Sequence, residues 1–277
     1  MNFKIIVDSS SNLTNDYLKN EKDIGFAVAP LTIRFDGKEY VDDGNLDVHQ
    51  MLVDLSKSKD NAKSSCPSPQ DFLNHLEGAT YYFIYTISSK LSGSYNSALI
   101  AKDSFENKDN VFVLDSKLVC GSIEQMVIET VNLIKQGLSY EEIKEKMVKF
   151  RDSMNLLFIL NKFDNLVKNG RMSKVVAFVA NLANIKPLCY GDEGEIKIKE
   201  KIRTVGGALK RLVFNIGKMC DDISSRICII SYTECEDVAL SLKDMITKEY
   251  NFKEVKVVPN RGLAAFYSLE GGIICCF

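Results

Sequence analysis

Residues 81–98 run from an apolar stretch into the hydroxyl-rich turn Ser88-Ser89-Lys90-Leu91-Ser92-Gly93-Ser94 and then into a helical pattern. Residues of these types at this spacing can cradle an anion. The first N–H groups of a helix carry partial positive charge, Gly93 lets backbone approach a ligand, and Ser92 and Ser94 add hydroxyl donors. Taken alone, the same residues also describe a helix N-cap with spare serines. A second hydroxyl cluster, Lys63-Ser64-Ser65-Cys66-Pro67-Ser68-Pro69, strengthens the anion reading. Its prolines fix the chain before a helix and leave the Ser64 and Ser65 hydroxyls at defined positions. By itself that segment is a proline-restrained connector.

The elements that must hold these loops are short apolar runs at residues 3–7, 81–86, 111–114, 156–159, 227–230 and 255–258, alternating with helical patterns. Such alternation predicts parallel sheets covered by helices. Val48, Met51, Leu52 and Leu55 recur at helical spacing, as do Ile123, Met126, Val127 and Ile134, and these stripes are core faces. Several strands empty into small polar residues: Val7 into Asp8-Ser9-Ser10-Ser11, Ile87 into Ser88-Ser89, Leu114 into Asp115-Ser116, Ile230 into Ser231. Ligands of open α/β sheets sit beyond the carboxyl ends of the strands, where hydroxyls supply orientable donors without charge. Capping of the following helices accounts for Asp8 to Ser11 and for Asp115-Ser116 equally well.

Ser68 before Pro69, and Ser139 before Tyr-Glu-Glu, mark helix starts, while Gly137 and Gly170 mark helix ends. Asp36-Gly37 predicts a hairpin between residues 31–35 and 39–41, and Asp192 to Gly194 a second one. The expected fold is α/β in two lobes with the ligand between them. Residues 1–154 form an N-terminal lobe, a mostly parallel sheet flanked by helices with an antiparallel excursion near 31–41. Residues 155–277 form a smaller mixed α/β lobe.

At 277 residues the chain has room for two such lobes. A net charge of -2 leaves no basic footprint, so no nucleic-acid partner is expected. No apolar run approaches the ~20 residues of a membrane span, and the N-terminus leads straight into a strand, so a cytoplasmic protein rather than an integral membrane protein is expected. The eight cysteines show neither a CxxC pair nor metal-ligand spacing and read as buried apolar residues in a reducing compartment. No phosphate-binding loop or dinucleotide fingerprint is present, so no cofactor is expected and kinase chemistry would have to come from another protein. Asp42-Asp43 and Asp221-Asp222 lack companion ligands and read as turns or helix ends. A Ser-His-Asp hydrolase would have to use His49 or His75, both in helix-patterned segments, and there is no Gly-x-Ser-x-Gly elbow. Arg171, in Gly170-Arg171-Met172-Ser173, is either an anchor for a phosphate or a partner protein, or a cation at a helix junction.

In their order and spacing, Asp8-Ser9-Ser10, Ser64-Ser65-Cys66-Pro67-Ser68-Pro69, residues 87–98, and Asn169-Gly170-Arg171-Met172-Ser173 followed by Ile185-Lys186-Pro187 resemble the DegV family, over the whole chain. The resemblance implies a two-lobed binding protein for one long-chain fatty acid, a non-catalytic, acyl-binding subunit that works with the catalytic subunit of a fatty acid kinase. It carries the carboxylate-binding hydroxyls onto Ser64 and Ser92, with Ser65, Gly93 and Ser94 adjoining; Ser64 stands for the family's Thr and Cys66 for its Gln. Where many members have His-x-Gly-Pro-Gly, this chain has Asn260-Arg261-Gly262-Leu263-Ala264, which makes Asn260 and Arg261, with Ser9, head-group neighbours. Arg171 is assigned to a partner surface. A serine-dependent lipid or ester hydrolase and a non-lipid sensor or adaptor are the alternatives.

Overall fold

The computed structural model describes residues 1–172 and 185–277, and elements are numbered over these residues. Strand β1 (Phe3–Asp8) lies inside a parallel sheet of order β2-β1-β6-β7, with β2 (Ile24–Ala29), β6 (Tyr81–Thr86) and β7 (Val111–Asp115). These strands are almost continuously apolar because both faces are covered. Ile6, Ile84 and Val113 point to one side, where α2 (Pro69–Leu73) and α3 (Ser94–Ser104) supply Phe72, Ala98 and Ala101. Ile5, Val7, Phe83 and Tyr85 point to the other, against α4 (Gly121–Lys135) and α5 (Tyr140–Ser153). The stripe Ile123, Met126 and Val127 is fully buried there. Both serine starts are capping boxes, Ser68 with Asp71 and Ser139 with Glu142.

Among the described residues, the second sheet takes the six strands from Leu156 onward, in the order β10-β9-β8-β13-β11-β12. These are β8 (Leu156–Ile159), β9 (Lys186–Asp192), β10 (Glu195–Ile202), β11 (Ile227–Tyr232), β12 (Glu254–Pro259) and β13 (Ile273–Cys276). Only β11 and β12 pair in parallel; the other neighbours are antiparallel. One face packs on α7 (Val205–Met219) and α8 (Glu236–Glu249). The other presents Leu156, Phe158, Ile274 and Cys276 to the same core that holds α4. A Cβ on Gly121 would stand 2.8 Å from Ile229, so the start of α4 can lie this close to β11 only without a side chain.

The predicted hairpin is β3 (Thr32–Phe35) and β4 (Lys38–Val41), with Asp36 and Gly37 both at positive φ as a tight two-residue turn requires. Glu193 and Gly194 do the same between β9 and β10. The excursion has a third strand that sequence patterning does not reveal. Lys63–Ser65, read above as a connector, pairs antiparallel with β3 as β5, placing Ser64 opposite Ile33. His75 departs from expectation: α2 stops at Leu73, and His75 lies in the tighter turn that follows, bonded to Phe72 O.

Candidate functional site

The carboxyl ends of β1, β6 and β7 open toward β8, β13, the β9–β10 hairpin and α9 (Gly262–Ser268). Together they enclose a cavity of about 270 Å³. Its wall is mainly apolar, with Leu118, Cys120, Phe158, Leu166, Ile196 and Ile274 among the lining residues. At one end the wall turns polar. Ser64, Ser65, Ser92, Gly93, Arg171 and Tyr267 face the cavity there.

Both serine clusters reach this end. The Ser64 hydroxyl lies 2.7 Å from the Tyr267 hydroxyl, brought across by α9. The Ser92 hydroxyl lies 3.0 Å from that of Ser94 and accepts from the Ser94 N–H at 3.3 Å. The N-cap of α3 is Gly93, which has no side chain with which to cap the helix, and a Cβ there would lie 3.1 Å from Cys66 Sγ. The loops therefore touch at Gly93 and Cys66, and a larger residue at 93 would press on the proline-restrained loop. Arg171 ties the cavity edge together, its guanidinium donating to the carbonyls of Leu91, at 2.9 Å, and of Asn169. Its positive charge and the Ser64 hydroxyl pull the Tyr267 phenol down, while burial, the larger effect, pushes it above its ordinary value.

Other predicted residues stand further back. Ser94 lies behind Ser92, fully buried. Ser65 lines the cavity but accepts from Arg34 at 2.7 Å. Ser9 accepts from the Leu31 N–H at 3.0 Å and is outside the lining, whereas Ser10 is in it. Asn260 is buried; its amide donates to Thr233, 3.0 Å, and Ser268, 3.3 Å, and accepts from Asn12 at 3.1 Å. Ser268 reaches the cavity, so Asn260 is one hydrogen bond removed from it. Arg261 faces Asp42, not the cavity, and its backbone N–H donates to Asn12. Arg171, assigned by sequence to a partner surface, lines the cavity, and Ser173 lies outside the described residues.

One participant escaped the sequence reading, and a second was read there only as a strand-end polar group or a helix cap. Tyr267 is 203 positions from the serine it meets, and nothing local marks it. Asp8, fully buried at the end of β1, accepts from the N–H and hydroxyl of Ser10, from the Ile87 N–H at 3.0 Å and from the Ser94 side chain. Burial outweighs these donors and pushes its carboxyl up to about 6. Neither histidine is on the described wall: His49 is exposed and pairs with Glu234 at 3.0 Å, and His75 is half-buried beyond α2.

No helix among the described residues is long and apolar enough to cross a membrane. A family model described as "Uncharacterised protein, DegV family" matches residues 2–273. A DegV domain-containing protein of Streptococcus pneumoniae is 34% identical over 281 residues, covering 99% of this chain and 98% of that protein. Among solved structures, the Streptococcus pneumoniae fatty acid kinase B3 protein loaded with linoleic acid superposes with a TM-score of 0.92 at 32% identity, covering 100% of this chain and 99% of its own. A DegV family protein from Eubacterium eligens loaded with heptadecanoic acid gives 0.91 at 29%, covering 99% and 98%. With the match running from end to end and the serine loops meeting at one cavity, this chain belongs to the DegV family.

Proposed function

We propose that the protein binds a long-chain fatty acid, its tail in the apolar cavity and its carboxylate at the polar end among Ser64, Ser92, Tyr267 and Arg171. The observation that carries this reading is the cavity itself: a largely apolar wall closed at one end by hydroxyls from two separate loops and a guanidinium. A wall of this kind suits a ligand with one long apolar part and one anionic end, as held by the relatives crystallised with linoleic and heptadecanoic acids. Each buried CH₂ is worth ~0.8 kcal/mol, whereas one net hydrogen bond contributes about 1 kcal/mol. The tail therefore supplies affinity and the hydroxyls supply orientation.

The likeness to the fatty acid kinase B3 protein supports a non-catalytic role, in which the carboxylate is presented to a separate kinase subunit. Arg171 at the cavity edge suits both the carboxylate and such a partner. A cytoplasmic site of action agrees with eight free thiols.

Ser92→Ala discriminates between head-group and tail contributions. Removing a hydroxyl that bonds a charged group costs about 1.5–3 kcal/mol, so a fatty acid should bind roughly ten- to a hundredfold more weakly. Its methyl ester, lacking the charge, should lose less than about threefold, by displacement of a fluorescent fatty acid. Equal losses for both ligands would place the carboxylate elsewhere.

A further inference from the structure

Two of the cavity's hydroxyls lead back to one buried acid. Ser10 lines the cavity and donates to Asp8; Ser92 lines it and reaches Asp8 through Ser94. Each serine has a single hydrogen to give. With Asp8 ionised, the hydrogens of Ser10 and Ser94 are committed to its carboxylate. Ser94 then accepts from Ser92 at 3.0 Å, and Ser92, already accepting the Ser94 N–H, turns a lone pair toward the cavity. With Asp8 protonated the chain reverses. Asp8 donates to Ser94, Ser94 to Ser92, and Ser92 to whatever occupies the cavity.

A bound carboxylate needs the second arrangement, and two anions joined through the half-buried Ser92 and the buried Ser94 hydroxyls repel each other. We infer that Asp8 is a positioning residue that sets the direction of the Ser94–Ser92 hydrogen-bond chain and takes up one proton when a fatty acid anion binds. This rests on the fatty-acid reading of the site. The balance is simple: ionised Asp8, a fatty acid anion and one proton from solvent give protonated Asp8 beside the bound anion. The only covalent change is formation of the carboxyl O–H bond.

The surroundings leave Asp8 free to do this. From the loop before α4 the Cys120 thiol faces it, kept protonated by burial and by the neighbouring Cys276 and Asp8. From the residue after β6 comes the Ile87 N–H, and from α3 the Ser94 hydroxyl. Asp42, at the end of β4 beyond Ser9, is answered by Arg261 and by the N–H of Leu263 at 3.0 Å. Arg171 and Tyr267 face the cavity at the same polar end as Ser92. Because burial sets Asp8 at about 6, it is mostly ionised near neutral pH in the empty protein, and a bound anion raises it further. Between the empty and occupied values the complex holds more protons than its separate parts, so affinity falls as pH rises, by up to about tenfold per pH unit.

The test is calorimetric titration of lipid-stripped protein with dodecanoate at neutral pH, in two buffers of different ionisation enthalpy, repeated with dodecanol and with Ser94→Ala. About one proton should be taken up per dodecanoate, none with dodecanol, and distinctly fewer in the variant, whose link between Asp8 and Ser92 is cut. Dodecanoate binding without proton uptake overturns this inference alone. Equal uptake with dodecanol, or in a folded Ser94→Ala, overturns the route through Ser94. Should that variant not fold, the comparison of dodecanoate with dodecanol on the native protein decides. Failure to bind any acyl ligand overturns the fatty-acid reading, and this inference with it.

Discussion

Hexadecanoate is expected to bind roughly 5 × 10⁴-fold more tightly than octanoate. The two differ by eight methylene groups, each worth ~0.8 kcal/mol when transferred from water to an apolar wall, or about fourfold in affinity. The wall that receives them is built by both sheets. Leu118 and Cys120 come from the loop after β7, and Phe158 and Ile274 come from adjacent antiparallel strands of the second sheet. Affinity should climb steadily with chain length until the cavity is filled and then level off. The check is competition by a homologous series against one fluorescent fatty acid. A flat series would mean that the head group, not the tail, drives binding.

Phe83→Ala is expected to lower stability by about 3–5 kcal/mol, a large share of the 5–15 kcal/mol typical of a folded domain. Phe83 sits in β6 with no exposure, its ring 5.3 Å from Tyr140, 6.1 Å from Phe3 and 6.2 Å from Phe112. Truncation leaves a void between the parallel sheet and α5 that aromatic neighbours on fixed elements cannot close. Phe83→Leu keeps most of the volume and should cost less than half as much. Urea denaturation gives both values, and a loss below about 1 kcal/mol for the alanine variant would show that the sheet and helices repack freely.

Much of this architecture was legible because its signals are local. The parallel strands announce themselves as apolar runs, since burial on two faces leaves no polar alternation, and Asp36-Gly37 fits a turn that demands positive φ twice. The two serine loops were legible because Gly93 and the paired prolines constrain backbone in ways few other residues do. What sequence could not show depends on contacts between distant segments. Strand β5 is three residues of Lys and Ser, with no pattern of its own, and exists because β3 offers an open edge. Tyr267 reaches Ser64 only after α9 is fixed by Asp42, which accepts the Leu263 N–H from the end of another sheet. Asp8 was read either as part of the strand-end crevice or as a cap, and it does cap the turn at Ser9 to Ser11. The same carboxylate backs Ser10 and Ser94, and capping and ligand positioning draw on the same residue types. Asn260 illustrates the converse: a position marked by family resemblance is satisfied by Thr233, Ser268 and Asn12 and touches the cavity only through Ser268.

An acyl chain is expected to fill the cavity between the two sheets. Organic extraction of the purified protein, followed by mass spectrometry of the extract and by titration of the stripped protein with added fatty acid, tests it most directly. A long-chain fatty acid is expected at close to one per protein chain, with saturable rebinding at the same stoichiometry. An extract free of acyl lipid, together with no binding of any added fatty acid, would contradict it.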